Sequence, residues 1–526
     1  MSFLFNNIVV VHIALVACGF AWVFGGIVSD KLTPVMPWLW AFMFEAMLCF
    51  PQRRGYESSY DARERVWAEL KRDPLTKLSL IFTALMLIPL FNTALCPVCD
   101  YPAIVDAVAK TGKTPDDAAL GMNSVLALAR EEGILDPIMP FLPYCVNRLQ
   151  HFNVLMWFVP ALTAMLAVKH ALSKHGKRLL MEVIVWNGVA LAVLGAIQQV
   201  VEAPGPLWEE FEGKSAYFFS TFGYPNMAGD YFTTMFAIAV GLWRFRVDES
   251  IRRDRESDVN QGSAHRRFWA RHYLLIAVVI NFLAALNTFS RATILLVIVL
   301  TVIFSAHTFT SFFARMKKVE RVRYSAITLF VLAAIVVFSA VLLPSELKNE
   351  VDTIDTREVL TRVTGKGQYH ARVATAIWKS NFLFGCGGWG YKHYCISEMT
   401  EDELKNIQQV GGINVHNDYL QFLAEHGIVG FGILFAIVVI LLWPTMKIWR
   451  MMALSIRFIP PKKQPPKPTS FFILPAPVFC ILAGATASII HGFGDCPFRS
   501  PAVLTLFFVS LAAADGFLPR LKQEEN

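Results

Sequence analysis

"GGINVHNDYLQFLAEHGIVGFGILFAIVVI" (Gly411–Ile440) sets a His, two Asn and an Asp directly before a long apolar, Gly-punctuated run. The apolar half begins near Gly427 and continues to about residue 445, long enough to cross a hydrocarbon core of about 30 Å. Similar runs recur along all 526 residues: 6–28, 33–50, 78–95, 152–170, 180–201, 225–243, 273–289, 293–313, 325–343, 427–445, 472–490 and 501–517. With 55% hydrophobic and only 17% charged residues, the chain falls below the roughly 25% charge of soluble proteins. These features predict an all-α polytopic membrane protein of about twelve transmembrane helices, the first being a retained span.

Lys and Arg set the expected orientation. With the N-terminus in the cytoplasm, about 32 of the 48 fall in inner segments, although the outer segments are longer. Both termini are then cytoplasmic. The net charge of +7 reports topology and gives no sign of nucleic acid. Cys96, Cys99, Cys145, Cys386, Cys395 and Cys496 all fall in outer segments, and none of the nine lies in an inner loop. An oxidising outer compartment suggests disulfides or structural thiols. "CPVC" (96–99) also has the form of a redox or metal motif, but no second Cys pair at zinc-ribbon spacing accompanies it.

The chain divides into spans one to nine (1–343) with an outer insertion at about 96–150, an outer loop at 344–426, and spans ten to twelve with the tail (427–526). The long loop is too large for a structureless connection. Helices are expected in it at 355–364, 369–381, 400–409 and 418–425, with "GCGGWGY" as a turn between the second and third. An amphipathic piece is expected near 116–133. The charged inner loops, 51–77 among them, read as solvated.

Three outer features carry chemistry. "NTFSRAT" (287–293) puts Arg291 in the turn between spans seven and eight. An interfacial Arg that reaches lipid phosphates is the plain alternative. "QYHARVATAIWKSNFLFGCGGWGY" (368–391) starts Arg372 on an amphipathic helix whose apolar side carries Val373, Ala376 and Ile377. Its Gly run has no preceding strand, so turn formation fits better than a dinucleotide loop. In the opening stretch Asn417 or Asp418 can cap a helix, which leaves His416 without a helix-forming role. Two permanent cations and one group titrating near neutrality suit reaction at a lipid-linked diphosphate, the arginines binding the leaving group and the His taking a hydroxyl proton.

These segments, in this order, resemble the O-antigen ligase family, whose relatives include Wzy-type polymerases and protein O-oligosaccharyltransferases. The resemblance covers about 220–500: "STFGYPNMAG" (220–229), "FSRAT" with Ser290 and Arg291, the Arg372–Trp378 helix and its Gly run, His416-Asn417-x-x-Leu420 with Glu425-x-Gly427, and "IIHGFGDCPFRSP" (489–501). It implies a metal-independent, inverting glycosyltransferase without a cofactor. His416 would be the base, Arg291 and Arg372 the diphosphate binders, and Ser290, Asn417, Glu425 and Trp378 supporting residues. The donor would be an undecaprenyl-diphosphate-linked glycan, and the acceptor lipid A–core or another glycan. The setting would be the periplasmic face of the bacterial inner membrane. Phe382–Phe384 stand where the family usually has a Pro before the Gly run, and the first two hundred residues match nothing familiar. The rival from another class is a transporter, for which Glu45 and Asp230 are the internal acids; no repeated halves support it.

Overall fold

The computed structural model describes residues 7–23, 25, 35–97, 99–111, 122–209, 218–256, 264–313, 367–399, 414–457 and 474–518. Among them the fold is all helical: α1 Ile8–Trp22, α2 Met36–Cys49, α3 Ser59–Arg72, α4 Pro74–Leu87, α5 Tyr101–Lys110, α6 Met122–Glu131, α7 Arg148–His170 and α8 Lys174–Val200. There follow α9 Pro225–Glu256, α10 Ala264–Leu286, α11 Arg291–Phe313, α12 Gly367–Ser380, α13 Gly390–Tyr394, α14 Asp418–Arg457, α15 Ala476–His491 and α16 Pro501–Ala513. Eleven of the twelve apolar runs fall on helices, and the run at 325–343 lies outside the described residues.

Length separates these helices. Four are long and apolar enough to cross a membrane: Arg148–His170, Lys174–Val200, Arg291–Thr310 and Asp418–Met451. A fifth is counted if Ser59–Arg72 and Pro74–Leu90, bent by 66°, form one broken span. Others are shorter; the 14 residues of α2 rise only about 21 Å. Segment 51–77, expected as a solvated loop, is instead mostly helix α3 and the start of α4. Ser58 and Asp61 cap α3 reciprocally, and Ala62, Val66 and Leu70 bury its apolar stripe.

The centre of the bundle is set by which helices are greasy all round. Every residue of α16 is buried, as is 89% of the apolar window of α7, against 22% for α14. A helix apolar on all faces belongs in a core, whereas α14 keeps much of its surface free for an apolar solvent. Helix α9 packs on α10, where Phe236 meets Phe282, and on α15, where Gly241 lies against Pro477; Tyr231, Phe232 and Met235 are buried as well. Asp230 is buried beside them. Its carboxylate accepts from Ser488 Oγ at 2.7 Å and faces His491 Nδ1 at 3.1 Å, so it ties α9 to α15. Glu45 is exposed on α2.

The outer insertion forms its own small core. Ile104 and Val108 of α5, a helix not foreseen, pack on Val125, Leu126 and Ala129 of α6. Helix α6 realises the later part of the expected piece at 116–133. Helix α12 realises the expected helix at 369–381, with Val373, Ala374 and Ile377 buried and Ala376 only half-buried. The expected helices at 355–364 and 400–409 lie outside the described residues. "GCGGWGY" ends in the short helix α13 rather than remaining a turn.

Candidate active site

Helix α14 is continuous from Asp418 but breaks at Gly427, whose φ of 63° and ψ of −174° are not helical. A break leaves carbonyls and N–H groups without helical partners. The 382–387 strand of chain supplies both. Phe382 and Leu383 accept through their carbonyls from Ile428 and Val429 N–H at 3.0 and 3.1 Å. Cys386 and Gly387 N–H donate to the carbonyls of Ala424 and Glu425 at 3.0 and 2.8 Å. The close approach leaves no room for side chains: a Cβ on Gly427 would lie 2.2 Å from Leu383 O, and one on Gly385 2.3 Å from Glu425 C. The Gly run and the Glu-x-Gly motif are thus two halves of one clamp, and the Phe382–Phe384 segment serves it through its backbone. Gly427→Ala is expected to add about 1–3 kcal/mol of backbone strain to that clash and lower the melting temperature in detergent. An unchanged melting curve would mean the clamp opens freely.

The start of α14 is fastened to the turn between α15 and α16. Asn417, not Asp418, is the cap: its Oδ1 accepts from the N–H groups of Tyr419 and Leu420, both at 3.1 Å. Asn417 Nδ2 donates to Phe493 O at 3.1 Å, and Tyr419 OH donates to Ile489 O at 2.6 Å. Asp418 turns inward, accepts from Phe498 N–H at 2.8 Å, and donates its own N–H to Gly492 O at 2.9 Å.

His416, one residue before the cap, has a φ of +54°. This left-handed turn takes its ring off the helix line and puts Nδ1 3.3 Å from Asp495 Oδ1. Asp495 is held from behind. It accepts from Tyr224 OH at 2.9 Å, from the Asn226 side-chain amide, and from Cys496 N–H at 2.7 Å. Three separated motifs of the sequence therefore meet at this carboxylate.

The electrostatics follow from that contact. The hydrogen bond that His416 donates to Asp495 raises its value above the ordinary histidine one; burial opposes it, and the carboxylate charge adds to it. Burial pushes Asp495 up, but the hydrogen bond and charge of His416, the charge of His491 and the Cys496 N–H outweigh it and hold the carboxyl below its ordinary range. With Nδ1–H turned to the carboxylate, Nε2 is the nitrogen left to take a proton. The His416 side chain is 45% exposed against 8% for Asp495, so the pair has a wet end and a dry end.

The arginines approach on neighbouring elements. The His370 ring lies 6.3 Å from that of His416, and Arg372 follows two residues later on α12. Arg372 is exposed and its Nη2 donates to Glu398 O at 3.3 Å. Arg291 is the half-buried first residue of α11, where the Ser290 hydroxyl accepts from Thr293 Oγ1 at 2.9 Å. Thr293 packs against Gly229 of α9, one helical turn past Asn226. Among the described residues, neither arginine forms a hydrogen bond or ion pair with His416 or Asp495. Trp378 stacks on Phe382 at 5.4 Å, which places it beside the clamp. Glu425 pairs with Arg499 at 2.5 Å, both buried, and the guanidinium lies 4.6 Å from the Trp389 ring centre.

Asp495, Tyr224, Asn226 and Arg499 were not singled out from the sequence. Each sits in a quoted motif, but their partners lie 74 to 271 residues away, so no local spacing marks them. His416, Asp495 and Cys496 also lie within ligand distance of one another. Asp495 is already engaged by four donors, and the Cys496 thiol donates to Oδ1 at 3.3 Å. Hydrogen bonding accounts for this group without an ion.

An apolar cavity of about 440 Å³ adjoins the site. Tyr419 and Phe493 line it near the Asn417 cap, and Phe422, Leu434, Val438 and Phe507 line its length.

Residues 276–436 match the family model described as O-antigen ligase, and no curated protein matches the chain. The matched segment contains Ser290, Arg291, Arg372, Trp378, His416, Asn417 and Glu425 but ends before Asp495. Over that segment, the chain is similar to the O-antigen ligase family.

Proposed function

We propose that this membrane protein transfers a glycan from undecaprenyl diphosphate to a hydroxyl of lipid A–core at the periplasmic face of the inner membrane. The single observation that carries this reading is the His416–Asp495 pair, with one ring nitrogen held by a buried carboxylate and the other left for substrate. His416 Nε2 takes the proton of the acceptor hydroxyl. The oxygen attacks the anomeric carbon from the face opposite the diphosphate, the bond to the diphosphate oxygen breaks, and the configuration inverts. Arg291 and Arg372 bind the diphosphate and neutralise the charge that grows as it leaves. A diphosphate leaves without a dedicated acid, and no residue is asked to hold a metal.

Two further observations support a lipid-linked donor. The aromatic and aliphatic cavity beside Tyr419 suits part of an isoprenoid tail, while the polar residues stand at the end where α14 emerges. The Lys and Arg distribution supports cytoplasmic termini and an outer His416. The buried pairing of Asp230 with Ser488 and His491 gives that acid a packing role, which weighs against the transporter reading.

Deleting the gene and examining lipopolysaccharide and lipid-linked glycan together tests the proposal. Core lipid without O-chain, with long glycan accumulating on undecaprenyl diphosphate, is the expected result. Core capped by a single repeat would instead indicate a polymerase. Normal lipopolysaccharide with lost glycoprotein would indicate protein O-glycosylation. No change in any of the three would overturn the assignment.

A further inference from the structure

The nine cysteines form no disulfide among the described residues. Two of them do share a third partner. The two cysteines of "CPVC" lie against α13, where the Cys96 and Cys99 sulfurs stand 3.3 and 3.9 Å from Nδ1 of His393. All three ligand atoms lie within 4.8 Å of one another. We propose that Cys96, Cys99 and His393 form a zinc site that pins the outer insertion to the Gly387–Tyr394 segment. It stands independently of the transfer reaction.

Distances support an ion between these atoms. Tetrahedral zinc, with Zn–S about 2.3 Å and Zn–N about 2.0–2.1 Å, sets sulfur and nitrogen about 3.5 Å apart. The two observed separations straddle that value. The imidazole is also oriented as a ligand requires. Nε2 lies 2.8 Å from Gln150 Oε1, an acceptor, so Nε2 carries the proton and the Nδ1 lone pair faces both sulfurs. The Cys turn is fixed by its own backbone: Cys99 N–H donates to Cys96 Sγ at 3.2 Å, and Cys96 N–H to Asp100 Oδ2 at 2.8 Å.

The three ligands and Gln150 come from three separate parts of the chain, the insertion's start, its end and the 344–426 loop. A local turn needs none of these long-range partners. Cys96 and His393 are buried and Cys99 is exposed, which leaves the fourth tetrahedral position to water on the Cys99 side. Binding releases the two thiol protons and gives the ion two thiolates and a neutral imidazole, a donor set suited to zinc. The ion would hold α13 where Trp389, the residue before it, meets Arg499.

The test uses the full chain purified in detergent, equilibrated with zinc and desalted. Metal analysis is expected to find about one zinc per chain, and at least about tenfold less in Cys96→Ser with Cys99→Ser. Gln150→Ala should weaken zinc by about 10- to 100-fold while leaving all three ligands in place. Should the cysteine variant fail to fold, cobalt loading of the unmodified chain decides. Thiolate-to-cobalt charge transfer with intense tetrahedral ligand-field bands supports the site. Zinc at background with two titratable thiols, or a mass two hydrogens short from a Cys96–Cys99 disulfide, would overturn it.

Discussion

Replacing His416 by asparagine is expected to lower glycan transfer by about 100- to 10,000-fold while leaving the protein folded. Asparagine is the right probe because it tolerates the φ of +54° better than alanine does, yet cannot act as a base near neutral pH. The half-exposed ring is held by its hydrogen bond to Asp495, so little packing is lost. Asp495→Asn tests the partner. Asp495 touches no substrate in this mechanism; it positions the ring and stabilises the imidazolium. Its loss should therefore slow transfer strongly, and adding it to His416→Asn should cost almost nothing more.

The pH profile separates this role from a merely structural one. His416 must be neutral to accept a proton, and its value is raised, so activity rises as pH climbs through a point above the ordinary 6.5. Removing the Asp495 charge withdraws support from the imidazolium and moves that acid limb to lower pH. The same contact makes a linked stability prediction. For His416 it is fully present below the unfolded histidine value and is lost as pH rises through the raised folded value. For Asp495 it is present above the unfolded 3.8 and is lost as pH falls through the lowered folded value. Transfer at wild-type rates by His416→Asn, or an unshifted acid limb in Asp495→Asn, would remove the pair from the mechanism.

Breaking the Glu425–Arg499 pair is the second large effect. Arg499→Leu leaves a carboxylate 2% exposed beside the apolar cavity, and Glu425→Leu leaves a guanidinium 8% exposed. Each single change is expected to cost about 3–5 kcal/mol, because a desolvated charge loses the counter-charge it is paired with. Changing both together should recover much of that loss, since neither charge is then stranded. Thermal unfolding in detergent, followed by exposure of the buried Cys386 thiol, reads the difference. The double variant also shows whether Arg499 acts beyond support. If it is stable yet inactive, the guanidinium takes part in substrate binding.

The chain's local chemistry determined most of the helices. Apolar length gave α7, α8, α11 and α14, and period-3.6 burial gave α12, because those signals depend on neighbours a few residues away. His416 was legible for the same reason: a titratable group stands before a cap that does not need it. Helix α3 was hidden by its charge, since a charge-rich segment reads as loop until its thin apolar stripe finds a helix to cover it.

What only the tertiary structure decided are the partners. Nothing in "IIHGFGDCPFRSP" says that Asp495 rather than Asp418 meets His416, nor that Tyr224 and Asn226 hold it there. The Glu-x-Gly motif and the Gly run were each visible, but their reciprocal capping was not. "CPVC" found His393 almost three hundred residues away. Helices form from short-range backbone bonds and side-chain period, so a sequence states them. A charge pair, a clamp or a ligand set is chosen by the packing of distant segments, and that choice is made only when the bundle closes.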